Sequence, residues 1–230
     1  MAKDLDRGFG SVCNDLIKAQ YDLSVVYDIG ANDGRWTKDH GRKYCPGAHF
    51  YQFEANPNCA FKHKGQDITR NVIVLSDVDN KEVKFYTADS SSKEDTGYSY
   101  YQENSLDYSR GYHTIYKTKK LDTFAKENKM RMPNIVKIDT QGSEVDILRG
   151  GAETLSHAYA IHCEVPIIEY NTGAPGIGDY LKEFRKLGFL ATGVEHVAIR
   201  WGIVQQIDMT FMKAEIIQKL YNYKQRFVNL

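Results

Sequence analysis

The chain has 230 residues, 42% hydrophobic and 26% charged, a soluble globular balance with enough apolar material for a sizeable core in one or two domains. Thirty basic and thirty acidic side chains cancel, which argues against a nucleic-acid binder relying on bulk charge while leaving a local basic patch open. No run approaches the ~20 apolar residues of a membrane span, Met1–Asp6 lacks the apolar stretch of a signal peptide, and Cys13, Cys45, Cys59 and Cys163 are too scattered for a disulfide framework or zinc knuckle, which fits a reducing cytoplasm.

Ser24–Gly30 is a short apolar run ending in a glycine turn and reads as a buried strand. Trp36, His40 and Tyr44 recur every fourth residue, one face of a helix that Pro46 and Gly47 close. His49–Glu54 is aromatic and strand-like, and Asn56-Pro57 is expected to cap a following helix. Asn71–Leu75 reads as a third strand and Val83–Tyr86 as an extra strand or hairpin arm. From Ala88 to about Tyr116 the pattern breaks down, yet Tyr98, Tyr100, Tyr101, Tyr108, Tyr112 and Tyr116 fall there, too many phenol rings for a linker.

Regularity returns with a helix near Leu121–Asn128, a strand over Asn134–Asp139, and a helix with Val145 and Leu148 inward that Gly150-Gly151 interrupts. Ala160–Val165 is another strand. After the turn-rich Asn171–Gly178 comes a helix with Tyr180, Leu181, Phe184 and Leu187 inward and Gly188 as its cap. Phe189–Val194 and Ile207–Met212 read as a closing pair of strands, and Ile216, Leu220 and Phe227 give the last helix its stripe. Such alternation implies a mostly parallel α/β sheet with helices on both faces. With no internal repeat and no clean linker, a single domain spanning 1–230 is expected, carrying a tyrosine-rich insertion at about 88–116. Ligands of such sheets bind outside the carboxyl ends of the strands.

Three strand ends carry suggestive polar groups. Asp28-Ile29-Gly30-Ala31-Asn32-Asp33-Gly34 has glycines for close ligand approach, but it lacks the middle glycine of a dinucleotide fingerprint and sets an acid before the turn. That acid suits a cationic amine better than a diphosphate; an ordinary Gly/Asn turn is the plain alternative. Glu54 is placed to accept ribose hydroxyls, or is a solvated strand-end acid. Ser76-Asp77 is placed to meet an adenine amino group, or simply initiates a turn. Together they favour S-adenosylmethionine over a nicotinamide cofactor.

These residues resemble a known family. Asp28–Gly34, Phe53–Pro57, Leu75–Asp77, Leu121–Phe124 and above all Val136-Lys137-Ile138-Asp139-Thr140-Gln141-Gly142-Ser143-Glu144 through Ile147–Gly150 are similar to FkbM-type methyltransferases. The similarity runs from about Ser24 to Glu164; Gln141 stands where the family more often has an acid, and the tyrosine-rich insert has no counterpart. The resemblance implies a Rossmann-like class I methyltransferase fold, with a mostly parallel seven-stranded sheet and an antiparallel closing strand. It also implies S-adenosylmethionine as cofactor and a hydroxyl oxygen as acceptor. Carried over by motif, Asp28, Gly30, Asn32 and Gly34 would line the methionine moiety, Glu54 the ribose, Ser76 and Asp77 the adenine, and Asp139 the sulfonium, with Asn56 also in contact with the cofactor.

In-line methyl transfer needs alignment, and the acceptor must lose a proton. Asp139, His162 and Glu164 sit at adjacent strand ends as candidate proton acceptors, and Lys137 shares the strand parity of Asp139 and is placed to orient it. Asp139 reads equally as a cofactor-positioning residue and His162 as a core histidine; no metal site is assigned, since two carboxylates without a third ligand define none. The Tyr98–Tyr116 segment is expected to fold over the cleft, with Arg110, His113, Lys117, Lys119 and Lys120 in reach of phosphate, and Asn171–Gly178 is expected to form the opposing wall. A sugar or other small-molecule hydroxyl is the first expectation for the acceptor. Ahead of nucleic acid by the charge balance, it leaves an RNA ribose or cap methyltransferase second. A nicotinamide oxidoreductase and a non-catalytic cofactor-binding protein on the same scaffold are the readings from other classes.

Overall fold

A computed structural model describes residues 7–59, 62–63, 65–88 and 97–221. The central sheet has seven strands in the order β3-β2-β1-β7-β8-β10-β9, built from β1 (Val25–Ile29), β2 (His49–Glu54), β3 (Ile68–Val72), β7 (Ile135–Ile138), β8 (Ala160–Pro166), β9 (Phe189–Arg200) and β10 (Ile203–Lys213). The first five are parallel, and β10 runs antiparallel to both β8 and β9. This is a doubly wound α/β order, with β1 at the point where the chain reverses direction across the sheet.

Alternation along the strands supplies two apolar layers. Val25, Tyr27, Ile29, Val136, Ile138 and Ile161 face α3 (Leu121–Glu127), α4 (Glu144–Gly150), α5 (Ala152–Leu155) and α6 (Ile177–Lys186). Val26, Phe50, Ile135, Ala160 and Met212 face α1 (Phe9–Lys18) and α7 (Ala214–Tyr221). Helix α1, absent from the sequence expectations, buries Phe9, Val12, Cys13 and Leu16 at helical spacing. A second, three-stranded sheet, β4 (Val74–Leu75), β6 (His113–Lys119) and β5 (Glu82–Tyr86), stands beside the carboxyl end of the first.

Several expectations are corrected. The stretch read as one strand over Asn71–Leu75 is divided: β3 ends at Val72, and β4 leaves to pair with β6. The helix after Gly34 contains a π turn over Thr37–Gly41, which rotates Thr37 and Gly41 inward and leaves His40 exposed. Asn56 caps no helix among the described residues; its side-chain oxygen accepts from the Asn58 amide at 2.9 Å, closing a local turn. Leu181 points outward, while Tyr180 and Phe184 are buried. The closing hairpin extends well beyond the expected segments, and Phe227 lies outside the described residues.

Candidate active site

The carboxyl ends of β1, β2, β4 and β7 surround an open cleft with about 800 Å³ of empty volume. Its floor is apolar (Ile29, Phe53, Leu75, Ile147), and polar groups converge from above: Gly30, Asn32, Glu54, Asn56, Asp139 and Gln141. Such a mix suits a ligand with a flat apolar part and a few fixed polar points. Gly30 is required here. Its φ of +76° is left-handed, and a Cβ on it would lie 1.8 Å from the Asp139 carbonyl oxygen, so only glycine lets β1 and β7 end side by side.

Glu54 organises the first two turns. Its carboxylate accepts from the Asn32 amide at 2.7 Å and the Asn56 amide at 2.8 Å, and it has lone pairs left for a ligand. Asn32, itself at φ +44°, accepts from the Cys59 thiol at 2.8 Å.

Asp28 does not line this cleft. In register across β2, β1, β7, β8 and β10 run Gln52, Asp28, Lys137, His162 and Thr210, one buried polar row on the α1 side of the sheet. Asp28 is fully buried, accepting from Thr37 Oγ1 at 2.5 Å with Lys137 Nζ at 3.5 Å. Its parity sends it into the packed side of β1 rather than out of the strand end. Lys137 donates to the Gly30 carbonyl at 2.9 Å and lies 3.4 Å from Asp139. Burial opposes its charge, but the carboxylates of Asp139 and Asp28 more than offset that and raise its pKa, so the ammonium stays charged. His162 is also buried, hydrogen-bonded through Nδ1 to Thr210 Oγ1 at 3.0 Å and packed against the Phe9 ring. Burial, with Lys137 nearby, lowers it to about 4 and keeps it neutral. The core reading of His162 fits this placement.

Gly34 packs near Gln52 and His63, outside the cleft lining. Ser76 is buried beneath Tyr100, whose hydroxyl lies 3.2 Å away, and neither Ser76 nor Asp77 lines the cleft. The roof excludes them: Tyr98 and Tyr100 occupy that border instead.

Asp139 and Glu164 are brought together by a residue given no role in advance. Gln141, at φ +58°, donates through Nε2 to Asp139 Oδ1 at 3.1 Å and to Glu164 Oε1 at 3.0 Å. Gln206 donates to the other Glu164 oxygen. Burial, then the charge of Asp139, pushes Glu164 well above the usual carboxylate range; the same two causes raise Asp208, its register partner on β10, to about 6. Glu144 holds the intervening loop. Its carboxylate accepts from the amides of Thr140 (2.6 Å) and Gly142 (2.9 Å) and from the Tyr180 hydroxyl (2.5 Å). A glutamate six residues beyond the strand end, at the start of a helix, was the available signal for that role. Among the described residues no group of three His, Cys, Asp or Glu side chains is arranged to hold a metal ion.

The tyrosine-rich segment and the 169–173 loop are joined into an arch rather than standing as opposite walls. Asn104 N donates to the Tyr170 carbonyl at 2.9 Å and Thr172 N to the Gln102 carbonyl at 2.8 Å; Asn171 Nδ2 donates to the Tyr101 carbonyl at 2.9 Å. Tyr100 and Tyr101 both donate to Asp146 Oδ2 at 2.9 Å, fastening the arch to α4. Tyr108 is buried, Tyr112 is exposed and Tyr116 lines an outer cavity beside Asn32 and Lys62. None of Arg110, His113, Lys117, Lys119 and Lys120 lines either space beneath the arch, and Lys119 pairs with Glu127 at 2.8 Å.

The family model for the methyltransferase FkbM domain matches residues 28–191, covering the cleft, the arch and the strands beneath them. The chain belongs to that family. No curated protein matches it. Among solved structures, the FkbM methyltransferase of Methylobacillus flagellatus KT is 13% identical over 83% of this chain, with a TM-score of 0.49. This chain spans only 44% of that structure's length. Precorrin-6y C5,15-methyltransferase of Geobacter metallireducens GS-15 is 12% identical, covering 93% of each chain at a TM-score of 0.48. Magnesium protoporphyrin IX methyltransferase of Synechocystis PCC 6803, solved with bound SAM, is 10% identical over 92% of this chain and 87% of its own, at a TM-score of 0.46. In this FkbM domain no helix among the described residues is long and apolar enough to cross a membrane.

Proposed function

We propose that this FkbM domain, a single catalytic unit, binds S-adenosylmethionine in the cleft and methylates a hydroxyl oxygen of a sugar or other small molecule in the cytoplasm. The convergence of Gly30, Glu54 and Asp139 from three strand ends on one open cleft carries the proposal. The residues fit the cofactor. Glu54 has free lone pairs for the ribose hydroxyls, Gly30 and Asn32 offer backbone without a bulky side chain, and the apolar floor under Tyr98 and Tyr100 suits a purine. Asp139, which lines the cleft at the end of β7 with Lys137 3.4 Å from it, is the carboxylate that would face a cationic sulfonium or amine. Asp28 supports the site indirectly, by partnering Lys137.

When bound, the cofactor would supply an activated methyl group, whose transfer to the hydroxyl oxygen would leave the carbon–sulfur electron pair on sulfur and release the hydroxyl proton. The protein's part is to align the acceptor, exclude water with the arch and receive that proton. Glu164 is suited to the last task because its carboxyl, held high by burial, is a stronger base than an exposed glutamate once ionised. Gln141 orients both acids with one amide. The test is calorimetry with S-adenosylmethionine and its demethylated product, followed by transfer of labelled methyl to a panel of glycans, nucleotides and RNA. Glu54→Ala is expected to weaken cofactor binding at least about tenfold, the loss of one charge-assisted hydrogen bond. Folded protein that binds neither compound overturns the proposal.

A further inference from the structure

Beyond Gln141, also beneath the arch, lies a second space, partly open to solvent and lined by Gly142, Glu164, Tyr170, Asn171 and Gln206 among others. The two spaces share no lining residue, yet the Gln141 side chain links them: the same nitrogen contacts Asp139 of the cleft and Glu164 of the cavity. The cavity is roofed by the 169–173 loop, which the Gln102 and Asn104 contacts hold in place. Its titratable lining is acidic or phenolic: Glu144, Glu164, Glu169 and Tyr170, with no lysine, arginine or histidine. Glu103 bonds to Tyr170 from the arch, and the nearby cation, Arg200, acts on Tyr170 from outside the lining. An anion entering here would lose water and gain no counter-charge.

We propose that this second cavity receives the methyl acceptor, and that the acceptor is a hydroxyl compound without an anionic group at its bound end, such as an uncharged sugar. The proposal rests on the methyltransferase reading above and adds an entry side and a charge rule. The acceptor hydroxyl reaches the cleft past Gln141, whose amide oxygen is left to accept from it while Nε2 holds the two acids. Glu164 and Gln206 supply the polar edge of the cavity, a carboxyl and an amide of the kind that grip sugar hydroxyls.

Gly176 gives the means of testing it. It lines the cavity, has φ −93° and ψ 174°, which any residue adopts, and a Cβ on it meets nothing within 4 Å. Gly176→Phe therefore sets a ring at the cavity wall with no backbone strain, at a residue that does not line the cleft. Gly178, equally unobstructed but outside the lining, serves as the control in Gly178→Phe. The assay offers labelled S-adenosylmethionine with uncharged methyl glycosides, their 6-phosphates and an RNA oligonucleotide, and measures cofactor affinity in parallel by calorimetry. The expected result is a kcat/KM at least about tenfold higher for the uncharged glycoside than for its phosphate. Gly176→Phe should raise acceptor KM by at least about tenfold with cofactor affinity within about twofold, and Gly178→Phe should change neither. Preference for the phosphate or RNA, no transfer to any uncharged glycoside by protein that binds cofactor, or an unchanged acceptor KM in Gly176→Phe overturns the inference alone. Wild-type protein that does not bind the cofactor overturns the methyltransferase reading as well.

Discussion

The strand-end cleft and the arch above it are built by different means. In the cleft, polar groups are set by a strand and the turn that follows it: Gly30 and Asn32 by β1, Glu54 and Asn56 by β2, Asp139 and Gln141 by β7. In the arch, the decisive contacts join residues 66 to 70 positions apart, such as Asn104 with Tyr170 and Tyr101 with Asn171. The first kind of site tolerates little backbone change. The second is fastened by individual hydrogen bonds, backbone and side-chain, and yields in small steps.

The sharpest way to break the cleft is Gly30→Ala. The added Cβ collides with the Asp139 carbonyl, at a left-handed φ that alanine disfavours. We expect a loss of about 4 kcal/mol in urea unfolding together with cofactor binding. A variant that keeps wild-type stability would show that β1 and β7 part readily, and the contrast with the arch would fail.

Next in size is a pH effect from the polar row beneath the cleft. His162 is held near 4 in the fold, so between there and its unfolded value near ~6.5 unfolding takes up a proton. Stability contributed by the neutral ring is present above that window and lost as pH falls through it, by up to about 3 kcal/mol. Lys137, Glu195 and Asp139 face the ring, and Asp208 and Glu164, held high, act with the opposite sign. Comparing wild type with His162→Gln isolates the histidine, since the other groups remain. The prediction is a melting temperature that falls less on acidification in the variant; parallel curves would mean the ring is not buried neutral.

For catalysis, Asp139→Asn and Glu164→Gln should each lower kcat about 100-fold, roughly 2.7 kcal/mol of barrier, with a smaller change in cofactor affinity. The direction of the Glu164 shift adds a signature. A base that ionises above the ordinary carboxylate range gives a rate that climbs with pH through that raised value, and Glu164→Gln removes the climb. Wild-type single-turnover rates in both variants would remove the two acids from the mechanism.

What the sequence revealed follows the same division. The strand-ends were legible because glycine, asparagine and an acid at fixed offsets from an apolar run constrain their own neighbourhood. Even there, the motif alone misplaced Asp28: it precedes the turn in sequence, but strand alternation buries it against Thr37 and Lys137. Helix α1 carried a readable spacing at Phe9, Val12, Cys13 and Leu16 that went unread. Gln141 was noticed as a departure from the family pattern, yet its bridging role needed the distance between β7 and β8. The tyrosines announced that the insert packs against something, but not that the partners were Asp146 and the 169–173 loop, since no local rule links residues that far apart.

The smallest effect tests the arch itself. Tyr101 does not line the cofactor cleft; its hydroxyl donates to Asp146 Oδ2, which Tyr100 also contacts and which lies 3.7 Å from Arg149 through its other oxygen. Tyr101→Phe therefore removes one of several partners of a carboxylate, and the expected cost is about 1 kcal/mol. Because the phenol's own backbone carbonyl receives Asn171, loosening it should be felt at the second cavity before the first. A raised acceptor KM with unchanged cofactor affinity is the outcome that separates the two regions. Equal weakening of both would mean that cleft and arch move as one body, and that the division drawn between them has no energetic counterpart.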